Sequence, residues 1–568
     1  MKTIETDVLV VGAGPTGLSA ALFLARAGLS SHVVERRPGP QRAPAAHVVN
    51  ARTFEIWRQA GLDMDAMLAL AKDPRDAGQV HWVTRLGGEI LGSLPYERQT
   101  GDVLDVTPTP LRNLSQHRLE RFLAEEIFAK TGVRPAYAHR WDDSTQSGGG
   151  VTSRVRDVAT GDVYEVRSRY VIAADGAGSP LRKSLGISCL GPDRIQAFVM
   201  IHFEANLRPL VADNPGVIFW ISDPSCAGCL VAHDIDREWV FMHAWDPSVE
   251  SFESYDDARC MDLVRRAMVA SDIPLTIRAA APWLMTSQIA ERYREGRIFL
   301  AGDAAHRFPP TGGMGLNTGV QDAHNLVWKI AAVEKGWADP TILDTYESER
   351  RPVASYNAEQ SLANAVRLME VPVAMGTADL PDAARRSFDE MLESPRRRAE
   401  VAAAIANQAE HFDMLGLQMG FAYPEGAVLS DGSEAVGLSN PIREFVPSSR
   451  PGSRLPHGWI VKNGARVSTL DLISTDRLTL LVPKGSGLST TSIAAPIRVV
   501  EWGKDVDDPD NWWEHVAALA GGGGLLVRPD QHVAARFVRV PAADELMAVL
   551  EKLQFLSHAG GARRAAGA

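Results

Sequence analysis

The spacing of apolar residues predicts a parallel α/β sheet at the start of the chain. The runs DVLVVG and SHVVE flank the helical stretch TGLSAALFLARAG, so residues 7–35 read as strand, helix and strand. Two further apolar runs, YVIAADGAG at 170–178 and GRIFLAGDAA at 296–305, also end in Gly/Asp loops. All three fit one parallel sheet, and open α/β sheets bind ligands at the carboxyl ends of their strands.

The pattern changes twice further along the chain. Segments such as QAFVMIHFE and REWVFMHAW alternate apolar and polar positions between about 190 and 290, which predicts an inserted antiparallel sheet. A helical stretch follows, and after about 430 the order strand, helix, strand, helix predicts a small α/β domain. We therefore expect a discontinuous α/β domain at 1–189 and 291–410, with a β-sheet domain at 190–290 and part of 78–110 inserted into it. A C-terminal domain is expected at 430–558, followed by a disordered tail at 559–568.

Composition narrows the class of partner. The 568 residues are 45% hydrophobic and 23% charged, and the net charge of -11 disfavours nucleic acid or an anionic membrane. Four cysteines are too few for a disulfide framework, so we expect a cytoplasmic protein. The N-terminus does not resemble a signal peptide, and no membrane span is expected.

The motif GAGPTG predicts a dinucleotide site. Gly12, Gly14 and Gly17 have the GxGxxG spacing directly after a strand and at the start of a helix. The first glycine permits a tight turn, the second lets the backbone approach a pyrophosphate, and the third allows close helix–strand packing. Glu35, at the end of the second strand, is placed to accept hydrogen bonds from a ribose diol. The motif alone leaves FAD and NAD equally open.

Other kinds of catalytic site find little support. Cys226 and Cys229 form a CxxC, which fits a redox pair or half of a zinc site, but no matching second pair follows, and we favour reduced structural thiols. No metal site is expected. The motifs GxSxG, HExxH and GxxxxGK[ST] are absent, so neither a nucleophilic hydrolase nor a P-loop enzyme is indicated.

Three segments together resemble the class A flavoprotein aromatic hydroxylases. GAGPTG is similar to the family's first fingerprint, AADGAGSPLRK to its DG motif, and RIFLAGDAAHRFPPTGGMGLNTGVQDAHNLVWKI to its GD motif. The similar segments run from residue 7 to about 355. The resemblance implies a Rossmann-like FAD-binding domain, an inserted antiparallel substrate domain and a thioredoxin-like C-terminal domain. That last region contains no cysteine, so it is expected to support packing or a homodimer rather than disulfide exchange.

The resemblance also implies which residues hold the flavin. Asp303 would bind a ribityl hydroxyl, the Pro310 and Gly313–Asn317 segment would follow the isoalloxazine ring, and Arg36 would border the adenine ribose. Asp175 and Gly176 would face the flavin from a neighbouring strand. The full expected set is Gly12, Ala13, Gly14, Pro15, Thr16, Gly17, Glu35, Arg36, Gln116, Asp175, Gly176, Asp303, Pro310, Gly313, Gly315, Leu316 and Asn317. His306 is expected only to pack beneath this loop.

The implied reaction uses NADPH or NADH to reduce FAD, after which O₂ forms a C4a-hydroperoxide that hydroxylates a phenolic ring. His47 lies where phenol hydroxylases have an acidic substrate contact, and a histidine titrating near neutrality is expected to take the phenolic proton. Arg42 is expected to meet the nicotinamide. His233, His243 and Trp245 are expected to contact the substrate from the inserted sheet.

Two alternatives stay open. The three-domain layout also fits a flavin monooxygenase that modifies a polycyclic natural product or antibiotic. A non-catalytic FAD-binding sensor or interaction protein, with the C-terminal domain as its docking module, is the alternative from another class.

Overall fold

Three main β-sheets organise the protein. The computed structural model describes residues 2–270, 272–378, 381–488, 493, 495–519 and 522–556. Within these residues the three sheets have eight, seven and four strands. Among the described helices, none combines the length and the hydrophobicity that a membrane span requires. The predicted tail at 559–568 lies outside the described residues.

The first sheet has the parallel centre that the buried apolar runs predict. Thr3–Val11 pairs in parallel with Ser31–Glu35 and with Val163–Ala173, and the latter pairs in parallel with Ile298–Leu300. Strands covered on both faces are expected to be nearly continuous apolar runs, as these are. Three Gly/Asp loops therefore meet at one edge of the sheet. The remaining strands are Ala136–Tyr137, His139–Ser147, Gly150–Asp157 and Arg294–Glu295.

Glycines make the first turn possible. A Cβ on Gly12, whose φ is +107°, would lie 2.1 Å from the carbonyl oxygen of Ala174. A Cβ on Gly17 would lie 1.9 Å from the carbonyl oxygen of Gly12. Both contacts are far too short for any side chain, so the helix Pro15–Arg26 can approach its strand only because these positions are glycine.

The second sheet is antiparallel over most of its width and includes two strands from the 78–110 segment. One face packs against the helix Asp257–Arg266, and the other face is turned towards the first sheet. In spatial order its strands are Leu275–Met285, Gln196–Ala205, Glu238–Trp245, Gly228–Asp234, Ile218–Ile221, Gln79–Val83 and Ile90–Pro95. The one parallel pair joins Ile218–Ile221 to Gln79–Val83.

Helices and small sheets complete the region before the C-terminal domain. The helices are Ala51–Gln59, Met64–Ala69, Pro74–Ala77, Gln116–Thr131, Pro180–Ser184, Arg208–Val211, Met314–Glu334, Thr345–Arg367, Glu370–Met375, Pro381–Glu393, Pro395–Ala406 and Leu415–Met419. The small sheets pair Val48–Val49 with Arg112–Asn113, and Gln288–Ala290 with both Cys189–Leu190 and His306–Arg307.

The C-terminal region forms a four-stranded sheet. Its spatial order is Ile497–Trp502, Leu478–Pro483, Gly524–Val527 and Val533–Phe537, with the first pair parallel and the next two pairs antiparallel. The helix Ala543–Lys552 follows the last strand, a short helix spans Trp512–His515, and a hairpin of Trp459–Lys462 and Ala465–Ser468 precedes the sheet. A parallel pair extended by an antiparallel hairpin and a final helix matches a thioredoxin-like arrangement.

Candidate active site

A cavity of about 990 Å³ lies between the loop edge of the first sheet and one face of the second. Residues from all three Gly/Asp loops line it, together with side chains from five strands of the second sheet. The sequence motifs and the inserted sheet therefore share one space. We call it the central cavity.

The GAGPTG turn forms one end of the central cavity. Gly14, Pro15 and Thr16 line it, and a Cβ on Gly14 would find no atom closer than 4.0 Å, so a ligand can approach the backbone there. No side chain caps the helix Pro15–Arg26, which leaves its first N–H groups for an anion. Ala13 and Gly17 lie behind this surface, where the Ala13 N–H donates to Glu35 Oε2 at 2.9 Å.

Glu35 lies at the carboxyl end of the second strand, as predicted. Its carboxylate accepts hydrogen bonds from the Arg37 backbone N–H at 2.9 Å and from Arg37 Nε at 3.0 Å. Burial opposes ionisation, but these bonds and the Ala13 N–H hold the pKa of Glu35 below its usual value. Exposed Arg36 borders the cavity, and cavity-lining Gln116 donates to Glu120 Oε1 at 2.8 Å. The supporting role of Arg37 is not apparent from the sequence motif.

The loop at 302–317 forms the floor of the central cavity. The Asp303 side chain is exposed to the cavity rather than to outer solvent. Burial within the surrounding protein raises the pKa of its carboxyl group. No described residue forms a hydrogen bond with its carboxylate, so it is available to a ligand hydroxyl. Pro310, Gly313, Gly315 and Leu316 also line the floor. This set fits a flat cofactor that carries a polyol.

Asn317 has a different role from its neighbours. Its Oδ1 accepts from the Asn50 N–H at 3.0 Å and from Thr53 Oγ1 at 2.8 Å, while its Nδ2 donates to the Val48 carbonyl at 3.0 Å. Its side chain is fully buried and does not line the cavity. Asn317 therefore fixes the 48–53 segment against the start of the helix Met314–Glu334.

Asp175 and Gly176 line the cavity from the neighbouring strand. Asp175 Oδ2 accepts from the Leu181 N–H at 3.2 Å, but its Oδ1 is buried without a partner in the described structure. Burial raises the pKa of Asp175. An unsatisfied buried acceptor costs free energy, and a ligand donor at this point would remove that cost.

His306 is not part of the cavity wall. Its Nε2 contacts Asp322 Oδ2 at 2.6 Å, its ring stacks on Phe308 with centroids 4.8 Å apart, and its side chain is fully buried. Asp322 also accepts from the Gly302 N–H at 3.1 Å and from Arg350 Nε at 2.8 Å. His306 therefore packs beneath the loop, as the sequence predicts.

His47 lines the central cavity, and a chain of hydrogen bonds sets its tautomer. Gln99 Nε2 donates to the carbonyls of Tyr96 and Ala77, so its Oε1 must be the atom that accepts from Asn113 Nδ2 at 3.1 Å. Asn113 Oδ1 then faces His47 Nδ1 at 2.8 Å. The network therefore assigns the proton to Nδ1 and leaves Nε2 as an acceptor without a protein partner among the described residues.

The protonation of His47 differs from the sequence-based expectation. A histidine titrating near neutrality was expected, but burial lowers the pKa of His47 to about 4, and the hydrogen bond to Asn113 compensates only in part. The physical reason is that its partner is a neutral amide rather than a carboxylate. His47 is therefore uncharged at physiological pH.

His233 lies beside His47, and a half-buried lysine lies behind both. The two rings meet edge to face with centroids 5.5 Å apart, and His233 Nδ1 contacts Ser115 Oγ at 2.6 Å. Lys72 Nζ donates to the Ala232 carbonyl at 2.6 Å, and the Lys72 backbone N–H donates to the Asn113 carbonyl at 2.8 Å. The positive charge of Lys72 helps to lower the pKa of both histidines.

Three predicted site residues lie away from the central cavity. Arg42 is exposed and does not line it, although Gln41 and Ala43 do. His243 contacts the Ala227 carbonyl at 2.9 Å, and Trp245 packs against aromatic residues on the opposite face of the sheet. Side chains alternate between faces along a strand. Within Glu238–Trp245, Val240 and Met242 therefore line the cavity, whereas His243 and Trp245 lie on the other face.

Apart from His233, the residues on the cavity-facing side of the second sheet are not among those predicted from the sequence. They share alternate positions on their strands, and that period was the signal that could have found them. They are Met200, His202, Ile218, Trp220, Cys229, Val231, Val240, Met242, Ala279, Ala281 and Trp283.

The cysteines are free thiols in the described structure. Cys226 Sγ donates to the Arg266 carbonyl at 3.3 Å, whereas Cys229 faces the cavity. Burial raises the pKa of both thiols, which disfavours the reactive thiolate. Among the described residues no group of three or more His, Cys, Asp or Glu side chains is arranged to hold a metal ion.

Comparison with known proteins agrees with this geometry. Residues 5–361 match a family described as FAD binding domain, and residues 448–554 match one described as aromatic-ring hydroxylase, C-terminal. The tetracenomycin A2 monooxygenase-dioxygenase of Streptomyces glaucescens is 34% identical, with 97% of each chain covered. The 2,4-dichlorophenol 6-monooxygenase of Cupriavidus pinatubonensis is 32% identical, with 97% of this chain and 96% of its own covered.

Solved structures show the same relationship. The flavin-dependent monooxygenase PieE, determined in complex with FAD and substrate, superposes with a TM-score of 0.89 and 31% identity, covering 98% of this chain and 100% of its own. The first family match spans more than half of the chain, and the similar proteins match nearly its whole length. The chain therefore belongs to the FAD-binding aromatic-ring hydroxylases and is a flavin-dependent aromatic monooxygenase.

Proposed function

We propose that this protein uses FAD and NAD(P)H to hydroxylate a phenolic ring of a polycyclic aromatic substrate. The observation that carries the proposal is the central cavity, which joins the loops of the first sheet to an apolar face of the second. A flat cofactor on the loops and a flat substrate on the sheet would share this one cavity. Their reacting atoms would then be held close together and shielded from water.

The loop residues fit FAD. The free helix N-terminus at Gly14 would receive the pyrophosphate, Glu35 the adenine ribose, and the unpartnered Asp303 carboxylate the ribityl chain. Asp175 Oδ1, buried without a partner, offers a further acceptor. Bound FAD would supply electron transfer from NAD(P)H and activation of O₂ for insertion of one oxygen atom into the ring. Exposed Arg42, between two cavity-lining residues, is our candidate contact for NAD(P)H.

His47 would orient the phenol. Its neutral imidazole offers Nε2 to the cavity, so it would accept the hydrogen bond of a phenolic hydroxyl and polarise that bond towards the phenolate. Lys72 lies behind His47 and His233, where its positive charge favours an anion in the cavity. An ionised hydroxyl makes the ortho and para carbons nucleophilic, which is what oxygen transfer requires.

The width of the sheet favours a polycyclic substrate. The cavity takes side chains from five adjacent strands, Leu275–Met285 to Ile218–Ile221 in spatial order. At roughly 4.8 Å between strands, this face is roughly 19 Å wide, far wider than a single aromatic ring. The names of the relatives include both a tetracenomycin enzyme and a dichlorophenol enzyme, so a single-ring phenol is the competing substrate class.

The test is turnover of the FAD-loaded protein with each class. Purified protein is expected to be yellow and to oxidise NADH or NADPH faster when a polycyclic phenol is present, with a hydroxylated product identified by mass. His47→Ala is expected to reduce product formation by about a hundredfold or more while retaining FAD. Faster turnover with single-ring phenols would overturn the polycyclic assignment. Binding of FAD without turnover of any phenol would overturn the proposed substrate class.

A further inference from the structure

A glutamate on the cavity wall has a backbone conformation that is unusual for its residue type. Glu97 lines the central cavity with φ at +53°, in the left-handed region that residues other than glycine seldom occupy. Its N–H donates to the Phe412 carbonyl at 2.6 Å, and the preceding carbonyl, of Tyr96, accepts from Gln99 Nε2 at 3.0 Å. The chain is held in this conformation from both sides, and such strain concentrates at functional sites.

The Glu97 carboxylate is only half engaged by protein. Its Oε2 accepts from the Met414 N–H and from Gln418 Nε2, both at 3.2 Å. No described residue forms a hydrogen bond with its Oε1, and the side chain is half-buried at the cavity surface. A purely structural role at the start of the helix Leu415–Met419 uses one oxygen and leaves the other without a function.

Among the described residues, no cationic side chain forms an ion pair with Glu97. The guanidinium of Arg98 is turned to Asp413, which it binds at 2.8 Å, and Asp413 also binds Arg443. Tyr96, Trp220, Cys229, His411 and Phe412 form the neighbouring cavity wall. Burial raises the pKa of Glu97 to about 7, with a smaller contribution from Asp413. A ligand hydroxyl would give the carboxylate the hydrogen bond that the protein withholds.

Glu97 and His47 face the cavity at separate points. The wall between them is a chain of hydrogen bonds from His47 to Asn113, from Asn113 to Gln99, and from Gln99 to the carbonyl that precedes Glu97. Two amide side chains therefore separate the two groups. A phenolic hydroxyl bound by His47 leaves Glu97 free for a different substituent.

We propose that Glu97 is a specificity-determining residue whose free oxygen accepts a hydrogen bond from a second hydroxyl group, on a ring of the substrate other than the one that His47 orients. This inference rests on the proposed function. It names the substrate class more closely: a fused aromatic compound with hydroxyl groups on two rings. A hydrogen bond to a charged group contributes about 1.5 to 3 kcal/mol, which corresponds to about tenfold or more in affinity.

The experiment compares two probes that differ by one hydroxyl. FAD-loaded protein at about pH 8, above the pKa of Glu97, is titrated with 2-naphthol and with 2,7-dihydroxynaphthalene, and binding is followed by the change in flavin absorbance. The diol is expected to bind about tenfold more tightly than the mono-ol. Glu97→Gln keeps an acceptor for the Met414 N–H but removes the charge, and is expected to reduce this preference to below about threefold.

Two comparisons make the result specific. Glu125→Gln, on the exposed side of the helix Gln116–Thr131, is the matched control and is expected to keep the full preference. The probe 7-methoxy-2-naphthol lacks the second donor and is expected to bind the parent protein no better than 2-naphthol, a test that needs no variant. Equal binding of diol and mono-ol by the parent, no binding of either, tight binding of the methyl ether, or a preference retained in Glu97→Gln would each overturn the inference.

The outcome is separable from the proposed function. Protein that loads FAD and hydroxylates an aromatic compound but shows no preference for the diol contradicts the role of Glu97 alone. Protein that fails to bind FAD, or that oxidises no NAD(P)H with any phenol, contradicts the proposed function itself.

Discussion

The protonation of His47 depends on a neutral residue, Asn113, rather than on a charged one. Asn113 Oδ1 fixes the proton on His47 Nδ1 but adds no negative charge to stabilise an imidazolium ion. Burial therefore dominates, and the pKa of His47 falls to about 4. A neutral acceptor suits a residue that must receive a hydrogen bond from a phenol over the whole physiological pH range.

This dependence predicts the effect of Asn113→Asp. A carboxylate beside Nδ1 would raise the pKa of His47 towards neutrality, and protonated His47 cannot accept from a phenol. We expect the parent rate of hydroxylation to show no inflection from His47 between about pH 6 and 9, and Asn113→Asp to lose activity on the acid side of a new inflection in that range. The measurement is kcat against pH for both proteins.

A second variant separates the charge from the loss of the amide. Asn113→Leu removes the acceptor for Nδ1–H and is expected to lower kcat about tenfold without creating the new inflection, because the tautomer of His47 is then no longer fixed. A pH profile of Asn113→Asp identical to that of the parent would show that Asn113 does not set the protonation of His47.

Among the helices, Met314–Glu334 connects the cavity to the C-terminal domain. Its first residues form the cavity floor. Asp322, near its middle, binds His306 and Arg350, and Lys329 lies in its second half. Lys329 Nζ donates to Glu349 Oε2 at 2.7 Å, on the neighbouring helix Thr345–Arg367. Glu349 in turn binds Arg528 of the C-terminal region at 2.7 Å. All three of these last side chains are fully buried.

Glu349→Gln is therefore expected to be strongly destabilising. It removes the ion-pair partner of buried Lys329 and leaves Arg528 paired with Asp530 alone. Breaking a buried pair costs about 3 to 5 kcal/mol. The thermal unfolding midpoint is the measurement, and Glu359→Gln, exposed on the same helix, is the matched control with little expected change. A midpoint for Glu349→Gln equal to that of the control would contradict this assignment.

The stability that the Glu349 carboxylate contributes has a predictable dependence on pH. Burial opposes ionisation, but Arg528 and Lys329 hold the pKa of Glu349 at about 2, below its usual range. The stability it contributes is therefore complete above the unfolded pKa of about 4.3 and is lost as pH falls towards about 2. The difference in unfolding midpoint between the parent and Glu349→Gln should therefore shrink as pH falls across that window.

The loops were predictable from the sequence because their composition is tied to backbone geometry. Gly12 and Gly17 occupy positions where any side chain would clash, and such constraints leave a fixed spacing in the sequence. The substrate side leaves only the alternation of positions along its strands, a weaker signal than a fixed glycine spacing. Residue type alone predicts a substrate contact for His243 and Trp245, but the alternation of faces along their strand places both on the side away from the cavity. The pKa of His47 depends on Asn113, which is 66 residues away in the chain.

The C-terminal domain packs against the helix Ala51–Gln59, which also borders the flavin loop. Arg454 Nε donates to Glu55 Oε2 at 2.7 Å, and Arg52 donates to Gln531 Oε1 at 2.6 Å and to the Asp530 carbonyl at 2.8 Å. Arg52 and Glu55 lie on the helix Ala51–Gln59, whose N-cap Asn50 is held by Asn317 at the start of the cavity helix. These contacts allow the C-terminal domain, which contains no cysteine, to brace the cofactor loop.

This bracing predicts that Arg454→Met weakens flavin retention from outside the cavity. Arg454→Met removes two of the three hydrogen bonds that arginines donate to buried Glu55. We expect this loss to weaken the docking of the C-terminal domain by about 3 kcal/mol or more. We expect the temperature at which bound flavin is released, seen as a rise in flavin fluorescence, to fall by about 2 to 3 °C or more. Arg477→Met, which removes an exposed arginine paired with the adjacent Asp476 in the same domain, is the matched control and should leave this temperature unchanged. If Arg454→Met lowers the unfolding midpoint while flavin is released at the parent temperature, the C-terminal domain adds stability without bracing the flavin loop.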